Sequence, residues 1–237
     1  YYTNVRAVDS VNNVGPTLSS NGFGLDVSSP TIGNVFDGLN NDVTWSNITD
    51  SIGMNWSGFL DQYSGIDYYE TSIGSTPSGQ DVITWANTES HTSASHTGLT
   101  LGHGTTYYSS ARATDFSENT SQVSTSNGLT IDTEPPVIQY IFEAAQNNPT
   151  YQGSDSSITL VWDALDNLSG ISHYEYGLGT TEGGTELRSW TSAELNISAT
   201  IDSLELEEGA QYFGSLRVFD LAGNMSTLYG DGIIIDI

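Results

Sequence analysis

An all-β fold is predicted, with Greek-key β-sandwich domains strung in series along one chain. Three observations predict it. Apolar residues alternate with polar ones at period two. Turn-forming pairs interrupt these runs at short intervals. The whole pattern then recurs at an offset of 105 or 106 residues. About seven short strands per repeat, with no sustained helical periodicity, is the signature of a sandwich.

The strands follow in order. Ile52, Met54 and Trp56 alternate with polar neighbours, and Ile158, Leu160 and Trp162 do the same one repeat later. Tyr174, Tyr176 and Leu178 form an inward phase against His173, Glu175 and Gly177. Ile197, Ala199 and Ile201 read as a further strand, and Tyr212, Leu216 and Val218 as the next. Ser64-Gly65, Pro77 to Gly79, Gly183-Gly184 and Gly223-Asn224 supply the turns between them.

The repeat sets the domain limits. Asp61, Ser64-Gly65-Ile66 and Tyr69-Glu70 match Asp166, Ser169-Gly170-Ile171 and Tyr174-Glu175. Trp85, Tyr107, Arg112, Asp115 and Asn119 match Trp190, Tyr212, Arg217, Asp220 and Asn224. The amino-terminal stretch joins the same pattern, with Tyr1, Arg6, Asp9, Asn13, Gly22 and Asp26 preceding Tyr107, Arg112, Asp115, Asn119, Gly128 and Asp132 by 106 positions. Residues 1–26 therefore read as the closing hairpin of a preceding repeat, and residues 27–132 and 133–237 as two complete ones. The joints, Asp26 to Pro30 and Asp132 to Pro136, are short and stiffened by proline.

Composition narrows the function classes. The 237 residues carry 29 acidic side chains, four arginines and no lysine, for a net charge of −25. Such a surface repels phosphate, which argues against nucleic acid, and it is unattracted to anionic lipid. Cations, calcium above all, are the natural counter-species. Without cysteine there is no disulfide framework. No apolar run long enough to insert in a membrane is present.

Taken together, Ile73-Gly74-Ser75-Thr76 with Leu178-Gly179-Thr180-Thr181, and Gly104 to Ser121 with Gly209 to Ser226, resemble the fibronectin type III-like and bacterial immunoglobulin-like repeats of large bacterial surface and secreted proteins. The resemblance spans the whole chain. It implies an extracellular or cell-surface setting, and a role as stalk, adhesin segment or filament building block. It also admits a second role, as glycan- or protein-binding accessory modules of a secreted polysaccharide-degrading enzyme. The expected partners are neighbouring repeats of the same chain or filament subunits, with surface glycans or proteins as the alternative.

No catalytic motif is found, and no catalytic or cofactor-binding residue is assigned. His91, His96 and His103 lie close in sequence, but none recurs in the other repeat, which argues against zinc. Trp56 and Trp162 sit in core phase. Trp85 and Trp190 read as edge packing or as sugar platforms. Trp45, in the loop of residues 40–50, occurs in one repeat only and is the candidate glycan-stacking residue. Glu70 and Arg112, like Glu175 and Arg217, are 42 positions apart on strands expected to be neighbours, which predicts two cross-strand ion pairs. Six N-x-S/T sequons, at Asn47, Asn55, Asn119, Asn167, Asn196 and Asn224, are open to glycosylation in a host that performs it.

Three acids recur together at one pole of each repeat: Asp26, Asp61 and Asp115, then Asp132, Asp166 and Asp220. Two readings stand side by side. Crowded carboxylates are the ligand type that calcium takes. Aspartate and asparagine are also favoured in turns, where their side chains bond nearby backbone amides.

Overall fold

The computed structural model describes residues 1–144 and 148–237. In chain order the strands are β1 (Asn4–Val5), β2 (Leu18–Ser19), β3 (Asn34–Asp37), β4 (Trp45–Ser46), β5 (Ser51–Ser57), β6 (Ile66–Gly74) and β7 (Ile83–Asn87). They continue with β8 (Ser93–Thr97), β9 (Thr106–Asp115), β10 (Ser124–Thr125), β11 (Leu129–Ile131), β12 (Val137–Phe142) and β13 (Tyr151–Gln152). The last are β14 (Ser157–Leu165), β15 (Ile171–Gly179), β16 (Arg188–Glu194), β17 (Ser198–Asp202), β18 (Gln211–Asp220), β19 (Met225–Tyr229) and β20 (Ile233–Ile235). No helix occurs among the described residues, and so none is long and apolar enough to cross a membrane.

The chain divides into two compact units. One comprises Tyr1–Asp42, Ile52–His96 and Tyr107–Gly128; the other Val43–Ser51, Thr97–Thr106 and Leu129–Ile237. In the first, β3, β5 and β8 form one sheet, while β9 pairs with β6 and β10, and β6 with β7. Between the sheets lie Val35, Met54, Trp56, Phe59, Ala111 and Ala113. In the second, β12, β14 and β17 form one sheet. The other runs β16-β15-β18, with β19 and β20 both on β18 and β13 parallel to β20. Strand β14 thus pairs with β12 and β17 and leaves β15 and β16 to the opposite sheet, which is the Greek-key crossing.

The alternating phase fills the cores. Ile158, Leu160 and Trp162 are fully buried, and so are Leu178, Leu216 and Val218 opposite them. Truncating a tryptophan so placed costs about 3–5 kcal/mol.

Two expectations need correction. Ile197 is exposed and precedes β17, so it is not a strand-core residue; its carbonyl accepts the Trp162 amide. Residues 40–50 are not all loop, because β4 pairs in parallel with β11, placing Trp45 opposite Thr130.

Residues 1–26 carry the antiparallel pair β1–β2, with Asn4 opposite Ser19 and Val5 opposite Leu18, and a bridge from Val8 to Val14.

Candidate metal centres and arginine stacks

Each linker pole is assembled by a hairpin turn of the form Asp-x-x-x-Asn. In the first unit, Asp115 Oδ1 accepts the amides of Ser117 and Asn119, and Asp115 Oδ2 accepts Asn119 Nδ2 at 2.9 Å. In the second, Asp220 accepts the Asn224 amide at 2.8 Å and Asn224 Nδ2 at 2.7 Å. The turn needs a left-handed residue, supplied by Glu118 in one copy and Gly223 in the other. The asparagine amide also reaches the linker: Asn224 Nδ2 donates to the Asp132 carbonyl at 2.9 Å, and Asn119 Nδ2 to the Asp26 carbonyl at 3.4 Å. These two sequon asparagines therefore have their amides engaged.

The third acid caps the loop after β5 in one copy and after β14 in the other. Asp61 Oδ1 accepts the amides of Tyr63, Ser64 and Gly65. Asp166 Oδ1 accepts those of Leu168 and Gly170. The linker acid ties into the same loop, with Asp26 Oδ2 taking the Ser64 amide and Asp132 Oδ2 the Ser169 amide.

Turn capping and convergence therefore coexist. In each unit one oxygen from each of the three acids lies within 4.8 Å of the other two: Asp26 with Asp61 and Asp115, and Asp132 with Asp166 and Asp220. Ligand oxygens on opposite sides of a calcium ion are about 4.6–5.2 Å apart, since each sits about 2.3–2.6 Å from the metal. Hydrogen bonds from Ser28 and Ser64 hold Asp26 below its ordinary pKa. Burial pushes Asp115 and Asp132 upward, but bonds from Asn119 and Ser117 in the one, and Ser169 and Glu134 in the other, outweigh it and leave both lowered.

His103 Nδ1 lies 3.6 Å from Asp132 Oδ1. The Thr133 amide donates to that same nitrogen at 3.1 Å. The other two histidines of that stretch have local partners as well: His91 Nδ1 meets the Thr88 carbonyl, and His96 Nε2 meets Thr71 Oγ1 at 3.1 Å. Among the described residues no histidine joins a metal-type cluster.

The expected ion pairs form on the outer sheet face. Glu70 stands opposite Arg112, with Oε2 to Nε 2.8 Å; Glu175 stands opposite Arg217, at 3.8 Å. Each guanidinium then reaches one strand further and lies over a tryptophan, Arg112 over Trp85 at 4.4 Å and Arg217 over Trp190 at 4.0 Å from the ring centroid. One face of each indole is thereby covered, which disfavours these two as sugar platforms. Trp45 is half-buried in β4.

Sequence reasoning missed two buried carboxylates. Asp37 ends β3 and accepts Ser109 Oγ at 2.7 Å and the Gly128 amide at 3.0 Å. Glu143, one repeat on, accepts the Gly214 amide at 2.8 Å, and its Oε2 is buried without a partner among the described residues. Burial raises the pKa of both, against the hydrogen bonds, and Asp42 and Asp231 add to the rise. The available signal was an acid in the inward phase of both copies, Val35-x-Asp37 and Ile141-x-Glu143.

No family model matches the sequence, and no curated protein matches it. Solved structures do. Domains from titin align over 100% of this chain and 75% of theirs, at 14% identity and a TM-score of 0.54. The fold is that of tandem fibronectin type III-like and immunoglobulin-like sandwiches. The FN1–FN3 domains of chicken CNTN1 (15% identity, 98% of this chain, 76% of that one, TM-score 0.46) are also similar. So are the fibronectin(III)-like modules of Clostridium thermocellum CbhA (13% identity, 85% and 94%, TM-score 0.49). At these identities the likeness is one of fold.

Proposed function

We propose that the chain is a non-catalytic repeat region of a large extracellular surface protein, serving as a stalk or filament building block. One observation carries this reading. The polar residues that recur in both units hold strands and linkers together: the Asp-x-x-x-Asn turn bonds the linker carbonyl, and the Glu–Arg–Trp set spans three strands of one sheet. Residues invested in this way suit a spacer that keeps its own geometry while projecting something else. A glycan and protein array probed with the whole chain tests the reading. A spacer gives no ligand above background at micromolar protein. A glycan signal abolished by Trp45→Ala would instead favour an accessory module of a polysaccharide-degrading enzyme.

Calcium at the two linker poles belongs to the same proposal, with Asp26, Asp61 and Asp115 as ligands of one ion and Asp132, Asp166 and Asp220 of another. The ion would offset the mutual repulsion of three carboxylates and tighten the turn against the linker. Calorimetric titration is expected to show two sites, with dissociation constants of about 10⁻⁴–10⁻³ M, the range of extracellular modules. In Asp61→Asn and Asp166→Asn the retained Oδ1 still accepts the loop amides while the charge is lost, and each variant is expected to lose one site. Absence of heat and of any shift in Tm at about 10 mM calcium would leave the acids as turn caps alone.

A further inference from the structure

The amino-terminal hairpin repeats, bond for bond, the hairpin of a complete sandwich. Asn4 opposite Ser19, Val5 opposite Leu18 and Val8 bridging Val14 correspond to Ser110 opposite Thr125, Ala111 opposite Ser124 and Thr114 bridging Thr120. Asp9 Oδ1 accepts the Val11 and Asn13 amides and Asp9 Oδ2 accepts Asn13 Nδ2, the same turn as at Asp115 and Asp220. Asn12 takes the left-handed position held by Glu118 and Gly223.

What differs is burial. Tyr1, Val5, Phe23 and Leu25 are 64–72% exposed. Their counterparts in the second unit, Tyr212, Leu216, Ile233 and Ile235, are at most 4% exposed. Every hydrogen bond described for residues 1–25 stays within residues 1–25. Arg6, the counterpart of Arg112 and Arg217, has no carboxylate partner among the described residues. A two-stranded hairpin is at best marginally stable by itself, and contiguous exposed apolar surface marks a contact face.

We infer that the hairpin is one part of a split interface, and that its occupant is the first six strands of a repeat of this same type, joined ahead of Tyr1. The inference rests on the tandem-repeat reading above. The complete units define the partner's chemistry. Strand β1 takes an antiparallel strand like β6 or β15, carrying a glutamate opposite Arg6. The next strand supplies a tryptophan beneath that guanidinium, as Trp85 and Trp190 do. Apolar strands like β5 or β14 cover Tyr1, Val5, Phe23 and Leu25. The loop after the strand like β5 or β14 brings an aspartate to Asp9, as Asp61 and Asp166 come to Asp115 and Asp220.

Fusing a second copy of residues 27–106 ahead of Tyr1 of the whole chain tests this. Hydrogen exchange is followed at β1 and β2. In the fusion their amides are expected to exchange about a hundredfold more slowly or better, as strands in a packed sandwich do. Val5→Asp in the fusion should abolish that protection and leave strands β5, β9, β14 and β18 unaffected. Fast exchange at β1 in the fusion would overturn the inference. Protection of β1 in the unfused chain that rises with protein concentration would also overturn it, in favour of a second copy as occupant. Persistent protection in both complete units would show that the repeat reading itself had survived such a failure.

Discussion

Arg112 and Arg217 each join three strands through one side chain. The carboxylate partner alone is worth about 0.2–1 kcal/mol at this exposure. The stack on tryptophan adds about 0.5–1 kcal/mol, and the aliphatic stem covers apolar surface besides. Arg112→Ala and Arg217→Ala are therefore each expected to cost about 1–2 kcal/mol in urea unfolding. Lysine should recover less than half of this, because it keeps the charge and loses the planar face. Glu143 makes a different case. Its pKa is raised in the fold, so it contributes stability in its neutral form below the unfolded carboxyl value, and that contribution is lost as pH rises through the folded value. Glutamine mimics the neutral acid and can still accept from the Gly214 amide. Glu143→Gln is therefore expected to match the parent near pH 4 and to exceed it in urea midpoint at pH 8. A variant less stable than the parent at pH 8 would show that the charged form is favoured in place. Gly230 must stay without a side chain, since a Cβ there would overlap the Glu143 carboxylate.

At the level of strands and turns, the Asp-x-x-x-Asn hairpin ties sandwich to linker. Asn224 contributes an amide bonded to the Asp132 carbonyl and to Asp220, and Ser226 Oγ donates to the Pro136 carbonyl beside it. Asn224→Ala removes those side-chain bonds and is expected to cost about 1–3 kcal/mol, with faster amide exchange at Ser169, whose acceptor is Asp132. Much of this level was readable from sequence. The Glu–Arg pairs were visible because the 42-residue spacing fixes the same register in both repeats. The three acids were visible because they recur as a set. The tryptophan stacks were not, because irregularities between Thr71 and Ile73, and between Tyr176 and Leu178, shift the register of β7 and β16 against their neighbours. Alternation at Ile197 ran one residue past the true strand, because the turn at Ala193–Asn196, with Glu194 left-handed, ends just before it. Asp37 and Glu143 were overlooked because an acid in the inward phase reads as a strand end until its partner amides are known.

For the whole molecule, opposing pH effects set the stable range. Asp9, Asp26, Asp81, Asp115 and Asp132 are held below the ordinary carboxyl pKa, and hydrogen bonds from Thr180 bring Glu186 to about 2. Each contributes stability that is present above the unfolded value and lost as pH falls through the folded one. Asp37 and Glu143 act in the opposite direction. The proposed spacer role requires the chain to stay folded while something pulls on or hangs from it, so the property that tests the proposal is mechanical. The most direct measurement is to stretch the single chain between handles at Tyr1 and Ile237. The account expects two discrete unfolding events, each adding about 30–35 nm of contour for a sandwich of roughly 100 residues. Gradual lengthening at low force, without two such steps, would contradict it.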